Sequence, residues 1–262
     1  MLGVLVFLGG TLTSGCARGA PAAPAPALTA SPPKPPSASK ADAPVPSAAG
    51  SAWGNPRESV VARGVLAGSA GVVALFTEVH PCTVERTLPS AQVFVSTDAG
   101  KTFSKRGPAL EGSAFEFAQA AADGQLWVVG LYTAEGPGID PFVLVPAAGA
   151  ENLAVRPVRE GPSELMNAAR LRSGELLVWL RDIDGPGVGP ASGKHIYKSV
   201  DQGVTWHESP RLPASSLMHF SKLGNRSGHW RIVERPDGGF EVQHLTKTWQ
   251  SVTSFPWKSC DR

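Results

Sequence analysis

Short apolar runs recur along residues 59–252, and each run follows a glycine that opens it. A polar loop and a second apolar run come next, and a half-apolar stretch precedes each glycine. The four glycines lie 53, 50 and 54 residues apart, at Gly71, Gly124, Gly174 and Gly228. Short apolar runs separated by turn residues indicate strands, and a period of about 50 residues indicates a repeat architecture. The pattern therefore predicts four units, each with four short strands.

Units of this kind are typical of the blades of a β-propeller. We predict an all-β fold, a small β-propeller of about four four-stranded blades. The composition supports this prediction, because the chain has 29 Gly and 24 Pro among 262 residues and only 18% charged residues. Such a composition favours a turn-rich β protein over a helical one.

An eight-residue pattern, Ser-x-Asp-x-Gly-x-Thr followed by an aromatic residue, occurs after the second apolar run of units one and three. Degenerate versions with Leu153 and Trp249 at the aromatic position follow in units two and four. The two full patterns consist of Ser96, Asp98, Gly100, Thr102 and Phe103, and of Ser199, Asp201, Gly203, Thr205 and Trp206.

Each residue type in this pattern suits a tight hairpin turn. An Asp can accept backbone N–H groups inside the turn, and a Gly supplies positive φ. Thr suits the start of a strand, and the aromatic ring can pack under the turn. We interpret the pattern as structural. The alternative is that Asp98 and Asp201 form a pair of catalytic carboxylates.

The pattern resembles the Asp-box, or bacterial neuraminidase repeat, of sialidases, other propeller glycosidases, sortilin-like receptors and photosystem assembly factors. The resemblance implies a hairpin between the third and fourth strands of a blade, on the face away from the ligand site. Loops between second and third strands then share the ligand face with the connections between blades. Two of these loops carry a carboxylate before Gly-Pro-Gly, at Glu135 and Asp184.

The rim loops on that face present several charged side chains on rigid turns, and these are our candidates for binding a sugar or a cation. The alternative is a solvated rim of turn-forming residues. The candidates are Arg86, Glu135, Asp140, Arg181, Asp182, Asp184, Arg235 and Asp237.

A sialidase-like glycoside hydrolase is the enzymatic alternative. Sialidases resemble one another in an arginine triad, a Tyr–Glu nucleophile pair, an Asp acid/base and six blades. This chain has only Tyr132 and Tyr197, lacks an Arg-Ile-Pro-type motif and has about two blades fewer. We therefore predict no catalytic residues.

Metal and nucleic-acid binding are not indicated. The six histidines show no metal-ligand spacing, and His195, His207 and His244 lie near the predicted box turns. The net charge is +2, and the excess lies before Trp53. Without a basic stripe, nucleic acid is not an expected partner. We expect no cofactor.

The N-terminus indicates a bacterial lipoprotein. Residues 2–13 form an apolar run too short to span a bilayer but suited to a signal peptide, and Ser14-Gly15-Cys16 follows. This resembles the lipoprotein signal, in which the Cys receives the lipid, although Thr13 departs from the usual Leu and no basic residue precedes the run. Because Ala17 is not Asp, we predict an outer-membrane location, periplasmic or cell-surface facing. The alternative is an ordinary secretory signal with an incidental Cys.

We divide the chain into a signal peptide (1–16), an Ala/Pro-rich disordered tether (17–52) and the propeller (53–262). Proline at this density favours extended polyproline II. Cys82 and Cys260 are the other cysteines, and in an oxidising compartment they are predicted to form a disulfide. The alternative is two buried free thiols. Together these features predict a non-catalytic, membrane-anchored binding or scaffold module for a protein or glycan.

Overall fold

The computed structural model describes residues 58–69, 71–82, 88–121, 124–133, 140–147, 152–183, 193–211 and 217–255. These residues belong to one compact unit, Asp42–Arg262. The described residues form 18 strands in four antiparallel sheets and no helix. Accordingly, no helix in this part of the chain is long and apolar enough to cross a bilayer. The predicted all-β class with four units is confirmed.

Sheets 1 and 2 each run through four consecutive strands. Sheet 1 contains β1 (Glu58–Ala67), β2 (Val73–Pro81), β3 (Ser90–Ser96) and β4 (Ser104–Glu111). Sheet 2 contains β5 (Ser113–Ala120), β6 (Leu126–Tyr132), β7 (Asp140–Pro146) and β8 (Leu153–Pro157).

Sheets 3 and 4 follow the same order, but the first strand of sheet 4 is very short. Sheet 3 contains β9 (Ser163–Leu171), β10 (Leu176–Asp182), β11 (Lys194–Ser199) and β12 (His207–Glu208). Two short strands, β13 (Leu217–His219) and β14 (Ser221–Lys222), come next in the chain. Sheet 4 contains β15 (Arg226–Ser227), β16 (Trp230–Glu234), β17 (Phe240–Leu245) and β18 (Trp249–Phe255).

The continuous apolar runs become strands that are buried on both faces. In β2, Val73 and Leu75 belong to one core cluster, whereas Ala74 and Phe76 belong to another. Successive side chains of a strand point to opposite faces, so an uninterrupted apolar run needs a neighbour on each side. The three core clusters join sheet 4 to sheet 1, sheet 1 to sheet 2 and sheet 2 to sheet 3. The first and last sheets therefore meet.

The sheets are also joined by residues 217–227, which we call the crossing segment. Its β13 pairs with β9 of sheet 3, and its β14 pairs with β5 of sheet 2. The N–H of Val65 in sheet 1 donates to the carbonyl of Gly224 at 3.0 Å, and β15 then pairs with β16 of sheet 4. The segment thus contacts the first strands of sheets 1, 2 and 3 before it enters sheet 4.

This arrangement differs from the expected fourth unit. Residues 217–223 were predicted as a first strand for sheet 4, because they are half-apolar and precede Gly228. In the structure they are divided between sheets 3 and 2. Phe220 packs in the cluster between sheets 2 and 3, whereas Leu223 packs against the cluster between sheets 1 and 2. Their apolar side chains are buried by different neighbours, which separates the segment into short pieces.

The connections divide between two ends of the strands. The two boxes lie between β3 and β4 and between β11 and β12, beside the turns that join first and second strands. For example, the N–H of Ala99 donates to the carbonyl of Gly71 at 3.1 Å. Loops between second and third strands lie at the opposite end, with the connections between sheets. There the N–H of Gly161 donates to the Asp140 carboxylate at 2.8 Å. We call these ends the box face and the rim face.

Candidate functional site

The two box turns are closed by their own side chains. The Asp98 carboxylate accepts hydrogen bonds from the N–H of Thr102 at 2.9 Å and from its hydroxyl at 2.6 Å. Asp201 accepts the same pair of bonds from Thr205, at 2.9 and 2.6 Å. In both turns the serine hydroxyl also donates to the carboxylate, at 2.7 Å from Ser96 and 2.9 Å from Ser199.

These bonds favour the ionised carboxylates. Burial opposes the charge on Asp98, but the bonds from Thr102 and Ser96 outweigh it and lower the pKa of Asp98 to about 2. Bonds from the hydroxyl and N–H of Thr205 lower the pKa of Asp201 to about 2. Each carboxylate is therefore engaged inside its turn, which suits a structural role better than acid–base chemistry.

The glycine of each box lies close to a neighbouring sheet. Gly100 and Gly203 have φ values of 79° and 81°. A Cβ on Gly100 would lie 2.7 Å from the Trp230 ring of sheet 4, and one on Gly203 would lie 3.0 Å from Val143 of sheet 2. Phe103 also belongs to the cluster between sheets 1 and 4. The boxes therefore pack each sheet against its neighbour as well as closing a hairpin.

The predicted rim residues have separate surroundings. Arg86, Glu135 and Asp184 lie outside the described residues, as do Cys16 and Cys260. Arg181 pairs with Glu164 across β9 and β10, and Arg235 pairs with Asp237 at 2.8 Å within the β16–β17 turn.

One predicted residue, Asp182, belongs to a group of polar side chains at the rim end of sheet 3. Its carboxylate lies 3.0 Å from Nη1 of Arg159 and 3.2 Å from Nε2 of His195. Nη1 of Arg159 also donates to the Tyr197 hydroxyl at 3.1 Å, and Nδ1 of His195 lies 2.7 Å from Glu208. We call these five residues the rim cluster.

The charge on His195 is favoured by the carboxylates on both sides of its ring. The hydrogen bond with Glu208 raises the pKa of His195, burial opposes this change, and the negative charge of Asp182 raises it further. The Asp182 side chain is only 14% exposed, so its negative charge needs these partners. The cluster can hold a proton on His195 and present a polar surface. Its described bonds are mostly internal, which also suits a structural role.

Four members of this cluster were not predicted from the sequence. Arg159, Tyr197 and Glu208 carry no motif, and His195 was assigned to the neighbourhood of a box turn. That assignment was wrong, since His195 lies near the start of β11 and therefore at the rim face. Only the strand direction, which places residues 182 and 195 at the same end of a hairpin, could have indicated the group.

The two tyrosines have different environments. Tyr132 packs on Phe142 with ring centroids 4.7 Å apart, and burial raises its pKa. The Tyr197 hydroxyl accepts a hydrogen bond from Arg159, as described above. Among the described residues, no group of three His, Cys, Asp or Glu side chains has an arrangement that could hold a metal ion.

A groove of about 640 Å³ lies between sheets 1 and 4, and we call it the edge groove. Its walls are the start of β1, the second half of β16 and the β16–β17 turn. Its lining combines apolar side chains, two guanidinium groups, one carboxylate and two glycines. The lining residues are Val60, Val61, Ala62, Asn225, Arg226, Arg231, Ile232, Val233, Glu234, Gly238, Gly239 and Phe240.

Comparisons with known proteins identify no family for this chain. No family matches the sequence, and no curated protein matches it. Among solved structures, a protein of unknown function from Dyadobacter fermentans is 14% identical, with a TM-score of 0.40, and the match covers 78% of this chain and 69% of that one.

Two enzymes are similar at the same low level. The Hadza microbial sialidase Hz136 is 14% identical with a TM-score of 0.39, over 76% of this chain and 47% of its own. An endo-arabinase from Bacteroides thetaiotaomicron is 13% identical with a TM-score of 0.33, over 73% of this chain and 72% of its own. At these values the similarities carry no argument about activity.

Proposed function

We propose that this protein is a non-catalytic, membrane-anchored bacterial lipoprotein whose propeller binds a protein or a glycan. The observation that carries the proposal is the crossing segment. Propeller enzymes with an axial site need an open space where the first strands meet. Here residues 217–227 occupy that position and are hydrogen-bonded to β9, β5 and β1. Binding is then left to the rim face and to the edge groove.

The anchoring part of the proposal concerns Cys16. A lipid on Cys16, followed by the Ala/Pro-rich residues 17–52, would hold the folded unit away from an outer membrane. We expect Cys16→Ser to move the protein from the membrane fraction to the soluble fraction of the bacterium. Membrane partitioning that does not change, together with no lipid on Cys16 by mass spectrometry, would contradict anchoring.

Binding can be tested with the full chain carrying Cys16→Ser on glycan and peptide microarrays. Asp237→Ala changes a rim-face turn, and Lys247→Ala changes an exposed residue of the box face. We expect array signals that fall with Asp237→Ala and persist with Lys247→Ala. Signals that fall only with the box-face change would contradict a rim-face site.

A sialidase-like glycoside hydrolase is the second candidate, and the rim cluster favours it. Arg159, Asp182 and Tyr197 bring a guanidinium, a carboxylate and a phenol within bonding distance at the rim face. A fluorogenic sialoside separates the two candidates. We expect no release of fluorophore above that from heat-denatured protein. Turnover that is lost in Tyr197→Phe and in Asp182→Asn would replace the binding proposal with the enzyme.

A further inference from the structure

The first strand of sheet 4 is much shorter than those of the other sheets. The first strands of sheets 1, 2 and 3 have 10, 8 and 9 residues. In sheet 4 the corresponding strand, β15, has 2 residues and pairs only with Trp230 and Arg231. The chain before β15 is already used, because β13 and β14 pair with sheets 3 and 2. The remainder of β16 therefore has no partner strand on that side among the described residues.

The edge groove lies where the missing strand would continue. The last hydrogen bond on this edge of β16 runs from the N–H of Ile232 to the carbonyl of Asn225, at 2.8 Å. Backbone groups alternate between the two sides of a strand, so Glu234 directs its N–H and C=O to the same edge as Ile232. Across the groove, β1 is the edge strand of sheet 1. The edges of β1 and β16 thus both face the edge groove. An unpaired strand edge is a template for strand addition.

Positive charge lines the same groove. The guanidinium of Arg231 lies 4.2 Å from the centre of the Trp249 ring, and that of Arg226 lies 5.4 Å from it. Nε of Arg231 donates to Gln243 of β17 at 2.8 Å, which directs this guanidinium across the sheet toward Trp249. Within the described part of the chain, neither arginine has a carboxylate partner. Glu234 supplies the one carboxylate of the lining, so the two guanidinium groups leave the groove with a net positive charge that is complementary to an acidic side chain.

We propose that the edge groove binds an extended acidic segment of a partner protein, which adds to β16 as an antiparallel or parallel strand. Backbone hydrogen bonds to Glu234 continue the pairing that ends at Ile232, and Arg226 and Arg231 bind its carboxylates. The groove volume of about 640 Å³ is within the range of ligand pockets. This inference rests on the proposed binding function and names the ligand class for one site.

The test uses the full chain with Cys16→Ser and a fluorescein-labelled peptide, acetyl-Thr-Val-Glu-Val-Asp-Val-Thr-amide, in fluorescence polarisation. Two control peptides change one property each. The first has Gln and Asn in place of Glu and Asp, and the second has N-methyl groups on its central amides, which block strand pairing. We expect a Kd below about 1 mM for the acidic peptide, and binding weaker by about tenfold or more for both controls.

Protein variants locate the site. Arg226→Gln with Arg231→Gln should weaken binding by about tenfold or more, whereas Lys247→Gln, which removes a charge on the box face, should not. No binding of the acidic peptide at about 1 mM, or equal binding of all three peptides, would overturn the proposal. Microarray signals that persist in the double arginine variant would leave the proposed binding function standing while this site fails.

Two other occupants have distinct results in the same experiments. If the chain's own residues fill the groove, the amide of Glu234 will be protected from hydrogen exchange without peptide and will lose protection when residues 17–52 are deleted. If the ligand is an acidic glycan, polygalacturonate oligomers will bind with arginine dependence while the acidic peptide does not. Either result would overturn the partner-peptide proposal.

Discussion

Paired polar side chains at the rim face surround His195. Its ring contacts Glu208 and Asp182, and both carboxylates raise its pKa. A histidine whose folded pKa is raised contributes stability that is fully present below its unfolded pKa of about 6.5. That contribution is lost as the pH rises through the folded pKa. The native state should therefore lose the stability contributed by this residue as the pH rises above about 6.5.

Glu208→Gln tests this linkage. The change removes the largest cause of the shift, so we expect the pKa of His195 in NMR titration to fall. The melting temperature should drop at pH 6, and the difference should shrink as the pH rises through the folded pKa of His195. Glu160→Gln, an acid beside Arg159 in the chain, is the control. An unchanged His195 titration would show that Glu208 does not stabilise the charged ring.

Gly100 allows a second test at the scale of one residue, because Gly228 is a matched control. Both glycines have positive φ, 79° and 55°. A Cβ added to Gly100 would lie 2.7 Å from the Trp230 ring. A Cβ added to Gly228 would have no neighbouring atom within 4 Å. We expect Gly228→Ala to cost about 1 kcal/mol of unfolding free energy from backbone strain, and Gly100→Ala about 1–3 kcal/mol more from overpacking. Urea unfolding measures both, and equal losses would contradict the close contact.

The box turn is the element that the sequence defined best. Its polar residues hydrogen-bond to one another within eight consecutive positions, so the local sequence pattern is enough to predict the hairpin. The structure has the two full boxes between third and fourth strands, as predicted. The local pattern did not indicate that Gly100 and Gly203 approach sheets 4 and 2, since those contacts come from residues far along the chain.

Asp201→Ala tests the box as a structural element. The folded pKa of Asp201 is lowered to about 2 by bonds from Thr205, so its stabilising contribution is present above the unfolded pKa of about 3.9. It is lost as the pH falls through the folded value. We expect a lower melting temperature at pH 7 and a difference that disappears near pH 2, with ligand binding retained. Lost binding at an unchanged melting temperature would contradict the structural interpretation.

The crossing segment shows where prediction from sequence failed. Residues 217–223 have the half-apolar pattern of a strand, and strands are what they form. A period-two pattern says that one face is buried, but it does not say which strand is the partner. Here the partners, β9 and β5, are set by tertiary packing of Phe220 and Leu223. The rim cluster was missed for the same reason, because it joins residues of β10, β11 and β12 to Arg159 in the connection before β9.

At the scale of the whole molecule, sheets 1 and 4 share a core cluster although they are first and last in the chain, and the predicted disulfide bears on that contact. Cys82 follows β2 directly and is half-buried, whereas Cys260 lies outside the described residues. The preceding strand, β18, ends at Phe255, which belongs to the cluster between sheets 1 and 4. A bridge between the two cysteines would link these sheets covalently.

We expect mass spectrometry of unreduced peptides to find Cys82 joined to Cys260. The loop between them has nearly 180 residues, for which chain entropy gives about 5 kcal/mol of stabilisation, less any strain in the native state. Reduction should therefore lower the melting temperature markedly, and Cys82→Ser should do the same without reductant. Free thiols at both positions in protein from an oxidising compartment would refute the bridge.

The crossing segment also constrains the order in which the molecule can be made. The Ser227 hydroxyl accepts a hydrogen bond from the N–H of Ala67, 160 residues earlier. Contacts this distant in sequence slow folding, because loop-closure entropy must be overcome before they form. Until residue 227 has emerged, the first strands of three sheets lack their common neighbour. We expect a chain that ends before residue 217 to stay unfolded, so the earlier sheets remain unfolded on the ribosome until residues 217–227 have been synthesised.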